Sequence, residues 1–244
     1  MKITNLTNLI YPKGFSCVNC GMEIFGDECL ICDSCKKILP YLTGKLCLHC
    51  GEPITGQGKY CLRCKDLSFK CDKVVSPFIY DGIAKKFVVG LKYNNKKYYA
   101  DCLAEYMAIA FKKELLPCDL VVCIPLCNKR LKERGYNQSE LIAIPFAKGI
   151  EKEFDGTILE RVKETPTQTK LTFEERQKNI SKAFKVHNKQ KVKDKIIVIV
   201  DDVYTTGATI LECAKTLKQA GAKTVYGVTA CHTIFKKNFE TDND

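Results

Sequence analysis

The chain has 244 residues, 45% of them hydrophobic, and a formal charge of +11, enough apolar material for one sizeable domain plus a small one. No apolar run approaches the roughly 18 residues of a membrane span. Met1 to Gly14 lack a cationic segment followed by a long apolar core. Neither membrane insertion nor a secretory leader is therefore expected, and a cytoplasmic location is the default.

Sixteen cysteines would indicate a disulfide scaffold in a small secreted chain, but these are grouped differently. Ten fall between Cys17 and Cys71, and eight form four C-x2-C pairs: Cys17/Cys20, Cys32/Cys35, Cys47/Cys50 and Cys61/Cys64. Gly14-x2-Cys17-x2-Cys20-Gly21 recurs thirty residues later as Gly44-x2-Cys47-x2-Cys50-Gly51, so the segment is an internal repeat. A C-x2-C turn sets two sulfurs on one side of a knuckle, and two knuckles close a tetrahedron around Zn²⁺. The following glycine lets the backbone bend over the thiolates. Residues 1–70 thus read as two zinc ribbons in tandem holding two zinc ions, in a reducing compartment. Cys29 makes a rival pair with Cys32, but the repeat favours Cys32/Cys35; Cys29 and Cys71 are spare, and His49 is a bystander. Each unit is too poor in apolar residues to fold without metal. Such ribbons cap a domain, dock a partner or contact nucleic acid, and a core separate from the larger domain is expected.

Each zinc held by four thiolates is a net −2 unit, which lowers the formal total from +11 to about +7. Residues 1–70 hold nine Lys/Arg against six Asp/Glu and become close to neutral, so the basic excess belongs to residues 71–244.

From Lys73 the pattern changes to alternating strands and helices. Val74 to Tyr80 reads as a short strand, Ile83 to Tyr93 as an amphipathic helix, and Tyr99 to Leu116 as a second helix stopped by Pro117. Asp119 to Leu126 is a buried strand meeting Pro125. A loop rich in cations follows, with Lys129, Arg130, Lys132 and Arg134 within six residues. Ser139 to Phe154 has a helix pattern that Pro145 should kink or restart. The polar, β-poor stretch that opens at Arg161 and leads through Glu175 to Phe184 reads as a mobile flap between strands. Lys182 to Lys195, with six lysines and one acid, reads as a solvated hairpin or edge. Thr224 to Cys231 is a last strand, and the tail from Phe235 should fray.

The informative stretch is Lys195 to Thr209. Ile196 to Val200 is an unbroken β-favouring run of the kind buried in a parallel sheet. Asp201 and Asp202 follow, then Tyr204-Thr205-Thr206-Gly207-Ala208-Thr209, then a helix pattern from Ile210 to Ala220. A strand feeding a Gly/Thr turn and a helix N-terminus makes an anion site, to which three threonine hydroxyls add donors. The carboxylate pair one step earlier suits a diol or a divalent metal. Phosphate on one side and a diol on the other describe a 5-phosphoribosyl group.

These residues resemble the phosphoribosyl-diphosphate (PRPP) signature of type I phosphoribosyltransferases. The tandem C-x2-C pairs, Leu91-Lys92-Tyr93, V-V-C-I-P-L, K-R-L-K-E-R-G-Y-N-Q-S, R-V-K-E-T-P-T-Q, E-R-Q-K-N-I-S-K-A-F and D-D-V-Y-T-T-G-A-T together resemble the ComF (ComFC/GntX-like) family of competence-associated phosphoribosyltransferase-like proteins, across nearly the whole chain. The resemblance implies an α/β fold: a type I phosphoribosyltransferase-like parallel sheet flanked by helices in residues 71–244, behind the N-terminal double ribbon. It implies a protein handling incoming single-stranded DNA during natural transformation, alongside DNA-uptake proteins. PRPP would be bound by Asp201, Asp202, Thr205, Thr206, Gly207, Ala208 and Thr209. Its pyrophosphate would lie against Pro125, Leu126, Arg130 and Arg134, with Mg²⁺ reached through PRPP from Asp201 and Asp202.

Where 6-oxopurine phosphoribosyltransferases carry an Asp serving the base, this chain has Thr205, and no catalytic acceptor-side group is assigned. Two other readings stay open: a nucleobase-salvage phosphoribosyltransferase, and a zinc-ribbon nucleic-acid adaptor on a non-catalytic scaffold. For single-stranded DNA, Lys189, Lys191 and Lys193 are the candidate contacts, with Tyr93, Tyr98, Tyr99 and Tyr136 as stacking surfaces.

Overall fold

The computed structural model describes residues 16–24, 30–65, 70–163 and 178–235. The expectations for Cys29, for Thr165 through Glu175 and for the tail beyond Phe235 lie outside the described residues.

β-Branched runs buried on both faces form parallel ladders because helices cover each face. The strands are β1 (Lys73–Val75), β2 (Phe78–Ile79), β3 (Leu120–Cys123), β4 (Glu153–Phe154), β5 (Leu159–Arg161), β6 (Phe184–Val186), β7 (Ile196–Tyr204) and β8 (Thr224–His232). The main sheet has the order β1-β8-β7-β3-β4, with β2 also on β8, and every pairing in it is parallel. β5 and β6 form a separate antiparallel pair, so the start of the lysine-rich stretch is a strand whose Phe184 and Val186 are buried rather than solvated.

The helices are α1 (Asp33–Lys37), α2 (Leu62–Lys65), α3 (Gly82–Tyr93), α4 (Tyr99–Lys113), α5 (Asn128–Arg134), α6 (Gln138–Gly149) and α7 (Ala208–Gln219). One cluster of buried side chains joins Val198 and Val200 of β7 to α3, α4 and α6. The other joins Ile197 and Ile199 to α7, β5 and β6. Alternate residues of one strand thus serve two cores, as the period-2 geometry of a strand requires.

Several boundaries differ from the sequence reading. The expected strand Val74 to Tyr80 is split into β1 and β2 at Ser76-Pro77. Pro77 has no N–H for a ladder, and its carbonyl instead accepts from Leu42 N at 2.8 Å. α6 runs through Pro145 and ends at Gly149, and Glu153–Phe154 becomes the edge strand β4. The cation-rich loop folds as α5, closed by Gly135 at φ 78°. β7 continues past Val200 through the acid pair to Tyr204, because β8 matches it out to His232.

The ribbons do not have a core of their own. Cys17, Cys32 and Cys35 pack in the cluster of α3 and α4, and Cys47, Cys50, Cys61 and Cys64 in that of α7. Backbone bonds join them too: Val74 N donates to His49 O at 2.6 Å, and Ile79 N to Pro40 O at 2.8 Å. The expectation of separate cores is therefore corrected; units this poor in apolar residues bury what they have against the sheet's edge.

Replacing Cys61 and Cys64 by Ser should therefore lower the unfolding midpoint of the whole chain in one transition, followed by circular dichroism. Elemental analysis should fall from two zinc equivalents to one. A sheet melting at the parental temperature after loss of the second zinc would contradict the shared core.

Candidate functional site

β3 and β7 are neighbours in register, Cys123 opposite Val200, and their connections diverge. β3 leads through α5 and α6 to β4 at one edge, and β7 through α7 to β8 on the other side. The carboxyl ends of two such strands leave a crevice, the usual ligand position in open α/β sheets. A cavity of about 830 Å³ opens there.

Its lining brings together Pro125, Leu126, Arg130 and Arg134 from the β3 side with Asp201, Asp202, Thr205 and Thr209 from the β7 side. Arg130 and Arg134 are four apart on α5 and so share one helical face. Thr206, Gly207 and Ala208 are not among the lining side chains. They form the turn itself: Gly207 caps α7 at φ 78°, and Ala208 N donates to Thr206 Oγ1 at 3.4 Å. A Cβ on Gly207 would lie 2.1 Å from the Tyr204 hydroxyl oxygen, so both conformation and space require glycine.

The Glu133 to Ser139 motif builds the opposite wall residue by residue. Gly135 ends α5. Tyr136 Oη donates to Leu91 O at 2.5 Å, tying this wall to α3. Buried Asn137 donates to Ile124 O at 3.0 Å and caps α6 by accepting from Ser139 N at 3.2 Å. Arg134 bonds Gln138, whose side chain lines the cavity. Ser139 Oγ donates to Asp201 Oδ1 at 2.8 Å, joining the motif to the acid pair.

Asp201 and Asp202 are not equivalent. Asp202 is buried, and its Oδ1 lies 2.7 Å from Lys92 Nζ at the end of α3. Its Oδ2 is buried without a hydrogen-bond partner among the described residues. Burial alone would lower the Lys92 pKa, but the charge and hydrogen bond of Asp202 outweigh it and raise it above the ordinary lysine value. Asp201 accepts from Ser139 and from Asp202 N at 2.9 Å. Burial first, then the charge of Asp202, raise its pKa to about 7, against the pull of Lys92 and of the Ser139 hydroxyl.

Sequence reasoning missed Lys92, Arg161, Tyr80 and Gln138 as lining residues. Lys92 and Gln138 stood inside the quoted family motifs, and Arg161 opened one, but a motif does not say which of its side chains turn inward. Tyr93 and Tyr136, picked as stacking surfaces, also line the cavity. Arg134 sits 5.6 Å over the Tyr93 ring and Lys97 4.7 Å over that of Tyr136. The lysine run lies elsewhere. Lys189, Lys191 and Lys193 precede β7, at the amino end of a strand that spans about 26 Å at roughly 3.3 Å per residue. Lys191 is held by Asp155 at 2.6 Å.

The eight paired cysteines form two groups of four, whose sulfurs lie within 4.8 Å of one another. Cys20 and Cys32, and Cys50 and Cys61, have sulfurs 3.7 Å apart. The edge of a tetrahedron with Zn–S bonds of about 2.3 Å is roughly 3.8 Å, so the residues fit zinc. Gly21 and Gly51 follow the knuckles at φ 77° and 75°, and the N–H of each closes the turn onto Cys17 O and Cys47 O.

Removing one partner of a buried pair strands the other, so Lys92→Met should cost about 3–5 kcal/mol in denaturant unfolding at neutral pH. An effect below about 1 kcal/mol would mean that the pair is solvated. The raised pKa of Asp201 has a defined sign. Between its ordinary 3.8 and about 7 the folded state binds the extra proton, so stability falls as pH rises through that window. Asp201→Asn should flatten this slope, measured as unfolding free energy from pH 4 to 8 without ligand.

Two family models match the chain: a double zinc ribbon domain over residues 6–65 and a phosphoribosyl transferase domain over residues 141–244. Among curated relatives, DNA utilization protein YhgH of Salmonella typhi is 31% identical over 89% of this chain and 97% of its own length. Competence protein F of Haemophilus influenzae is 27% identical over 86% of this chain and 94% of its own. Competence protein ComFC of Bacillus subtilis is 24% identical over 78% of this chain and 79% of its own. With an all-parallel sheet behind a double zinc ribbon, and relatives matched over almost their full length, the chain belongs to the ComF family of competence-associated phosphoribosyltransferase-like proteins.

Proposed function

We propose that the cavity at the carboxyl ends of β3 and β7 binds PRPP, and that the protein uses this site while handling single-stranded DNA in the cytoplasm during DNA uptake. The observation that carries the reading is the polarity of one cavity: two arginines on one wall, two carboxylates and a threonine loop on the other. The arginines compensate a diphosphate, the α7 N-terminus and Thr205 and Thr209 take the 5-phosphate, and the carboxylates accept from the ribose hydroxyls. Oδ2 of Asp202, without a hydrogen-bond partner among the described residues, is an acceptor suited to a hydroxyl. Because Lys92 already occupies Oδ1, the acid pair suits a diol better than direct chelation of a metal. Mg²⁺ carried by the diphosphate and ribose oxygens would disperse charge on the departing pyrophosphate. Arg130 and Arg134 neutralise the same charge, and the acid pair orients the ribose ring, which is what displacement at its anomeric carbon needs.

Two features support the DNA part. Relatives over almost their full length bear the names of competence and DNA utilization proteins. The cavity's lining also carries exposed Tyr93 beneath Arg134 and Tyr136 beneath Lys97, cations and ring faces of the kind on which bases stack. We place the strand on this rim rather than on the lysine run, whose Lys191 is paired and which sits at the other end of the sheet. A division near residue 70 into ribbons and sheet domain completes the proposal.

Calorimetry with PRPP and Mg²⁺ tests the site. Arg130→Gln with Arg134→Gln should weaken PRPP roughly a hundredfold, two charge-assisted contacts being lost. Ribose 5-phosphate, which lacks the diphosphate, should bind both proteins alike. Equal PRPP affinity would move the pyrophosphate off α5. Turnover of labelled PRPP against free bases then separates this reading from base salvage. For DNA, anisotropy of a labelled strand should show affinity falling steeply with salt. Lys96→Glu with Lys97→Glu should weaken it more than reversal of Lys189, Lys191 and Lys193; the opposite ranking would return the path to the lysine run.

A further inference from the structure

We infer that the second ribbon shapes the phosphate loop, with His232 and Glu52 as positioning residues between the zinc knuckle and the turn at Gly207. The inference rests on the PRPP reading of the cavity for its functional consequence, though not for its geometry. Neither residue lines the cavity, and both are fully buried.

One route runs through side chains. Tyr204 is the last residue of β7, just before Thr205, and its hydroxyl fills the space over Gly207 where a Cβ would stand. The place of that ring therefore fixes how closely the first turn of α7 approaches the strand. The ring is stacked on His232, its register partner on β8, at 4.7 Å between centroids and 25° between planes. His232 Nε2 in turn lies 3.1 Å from the carbonyl oxygen of Cys50. Cys50 is a zinc ligand, and its carbonyl belongs to the peptide leading into Gly51, the tight bend of the knuckle. Knuckle, imidazole, phenol and glycine turn form one unbroken line of contacts.

A second route runs through backbone. Thr233 N donates to Tyr204 O at 2.9 Å, and Thr233 Oγ1 lies 3.3 Å from the same oxygen and 3.5 Å from Thr205 O. The segment after β8 thus braces the carbonyls that enter the loop. That segment is gripped by the ribbon: Phe235 N donates to Glu52 Oε1 at 2.8 Å. Glu52 Oε2 pairs with Arg63 at 3.0 Å, and the Arg63 guanidinium covers the Phe235 ring at 3.5 Å. Glu52 O accepts from Cys47 N at 2.8 Å, so this carboxylate is anchored on the same knuckle. Ordinary core packing would need neither a buried carboxylate nor an imidazole aimed at a ligand's carbonyl. Both are expensive to bury and stay only where their partners are fixed.

The consequence is linkage between the second zinc site and the phosphate loop, and linkage between two sites is reciprocal. His232→Phe keeps a ring against Tyr204 but removes the bond to Cys50. Hydrogen exchange and calorimetry are read on the full-length, zinc-loaded protein. With both zinc ions retained, amides from Ala208 to Glu212 should exchange about tenfold faster and PRPP should bind about tenfold more weakly, within the usual range of coupling. Amides of α4 and β3 should keep their parental rates. Unchanged exchange from Ala208 to Glu212 in a zinc-replete variant would overturn the inference. If the parent itself fails to bind PRPP, the reading of the cavity falls, and the exchange data still decide the positioning role. If His232→Phe does not fold, Glu52→Gln, which keeps an acceptor for Phe235 N, is read by the same two criteria. Parental exchange in that variant then counts against the inference.

Discussion

Everything at the functional end of this molecule depends on β7 being paired on both sides from Ile197 to Val200 and on β8 alone from there to Tyr204. A central parallel strand has no freedom to shift register, because a slip by one residue would exchange its two buried faces. Ile197 and Ile199 are committed to the α7 side, Val198 and Val200 to the α4 and α6 side. The ladder to β8 extends through Tyr204, so the acid pair is held by sheet geometry rather than by a loop. Side chains on a strand are placed more rigidly than those on a connection, and the carboxylates that we propose meet two ribose hydroxyls would gain from that.

Placing charges so deep in a sheet carries a cost, and the structure offsets it locally. Lys92 compensates Asp202, and the Ser139 hydroxyl and a backbone N–H serve Asp201. The compensation is incomplete: Asp201 has a pKa raised to about 7, and one oxygen of Asp202 lacks a partner among the described residues. Perturbed or unsatisfied polar groups lining a cavity mark it as a candidate binding site. Across the same space the two arginines on α5 have the opposite need. A ligand negative at one end and rich in hydroxyls in the middle satisfies both walls at once.

Much of this was legible in the sequence because it was written in local patterns. The thirty-residue cysteine repeat specifies two tetrahedra by spacing alone. The run Ile196 to Val200 followed by two acids and a Gly/Thr turn specifies strand, pair and helix start. What stayed hidden depends on tertiary proximity. Nothing near Lys92 in sequence announces Asp202, 110 positions away, as its partner. The lysines at 189, 191 and 193 drew attention through density, yet density does not show that one is tied to Asp155 or that they sit at the far end of the sheet. The break at Ser76-Pro77 is open to sequence reasoning, since proline cannot donate to a ladder, but the strand reading takes Val74 to Tyr80 as one mostly apolar run.

The packing of the ribbons follows from their composition. A zinc tetrahedron fixes a few turns of chain but buries little apolar area, so a ribbon of about thirty residues gains by leaning on a larger surface. Here the available surface is the β1, β2 and β8 edge, which would otherwise present unpaired backbone groups. Val74 N, with no strand on its outer side, finds His49 O; Ile79 N finds Pro40 O. Blocking that edge puts the second knuckle directly behind the carboxyl end of β8, where His232 meets Cys50. The same carboxyl ends define the ligand crevice. A module that closes the sheet's edge therefore lies behind that crevice, and the relay from the knuckle through His232 to Tyr204 follows from where the exposed edge was.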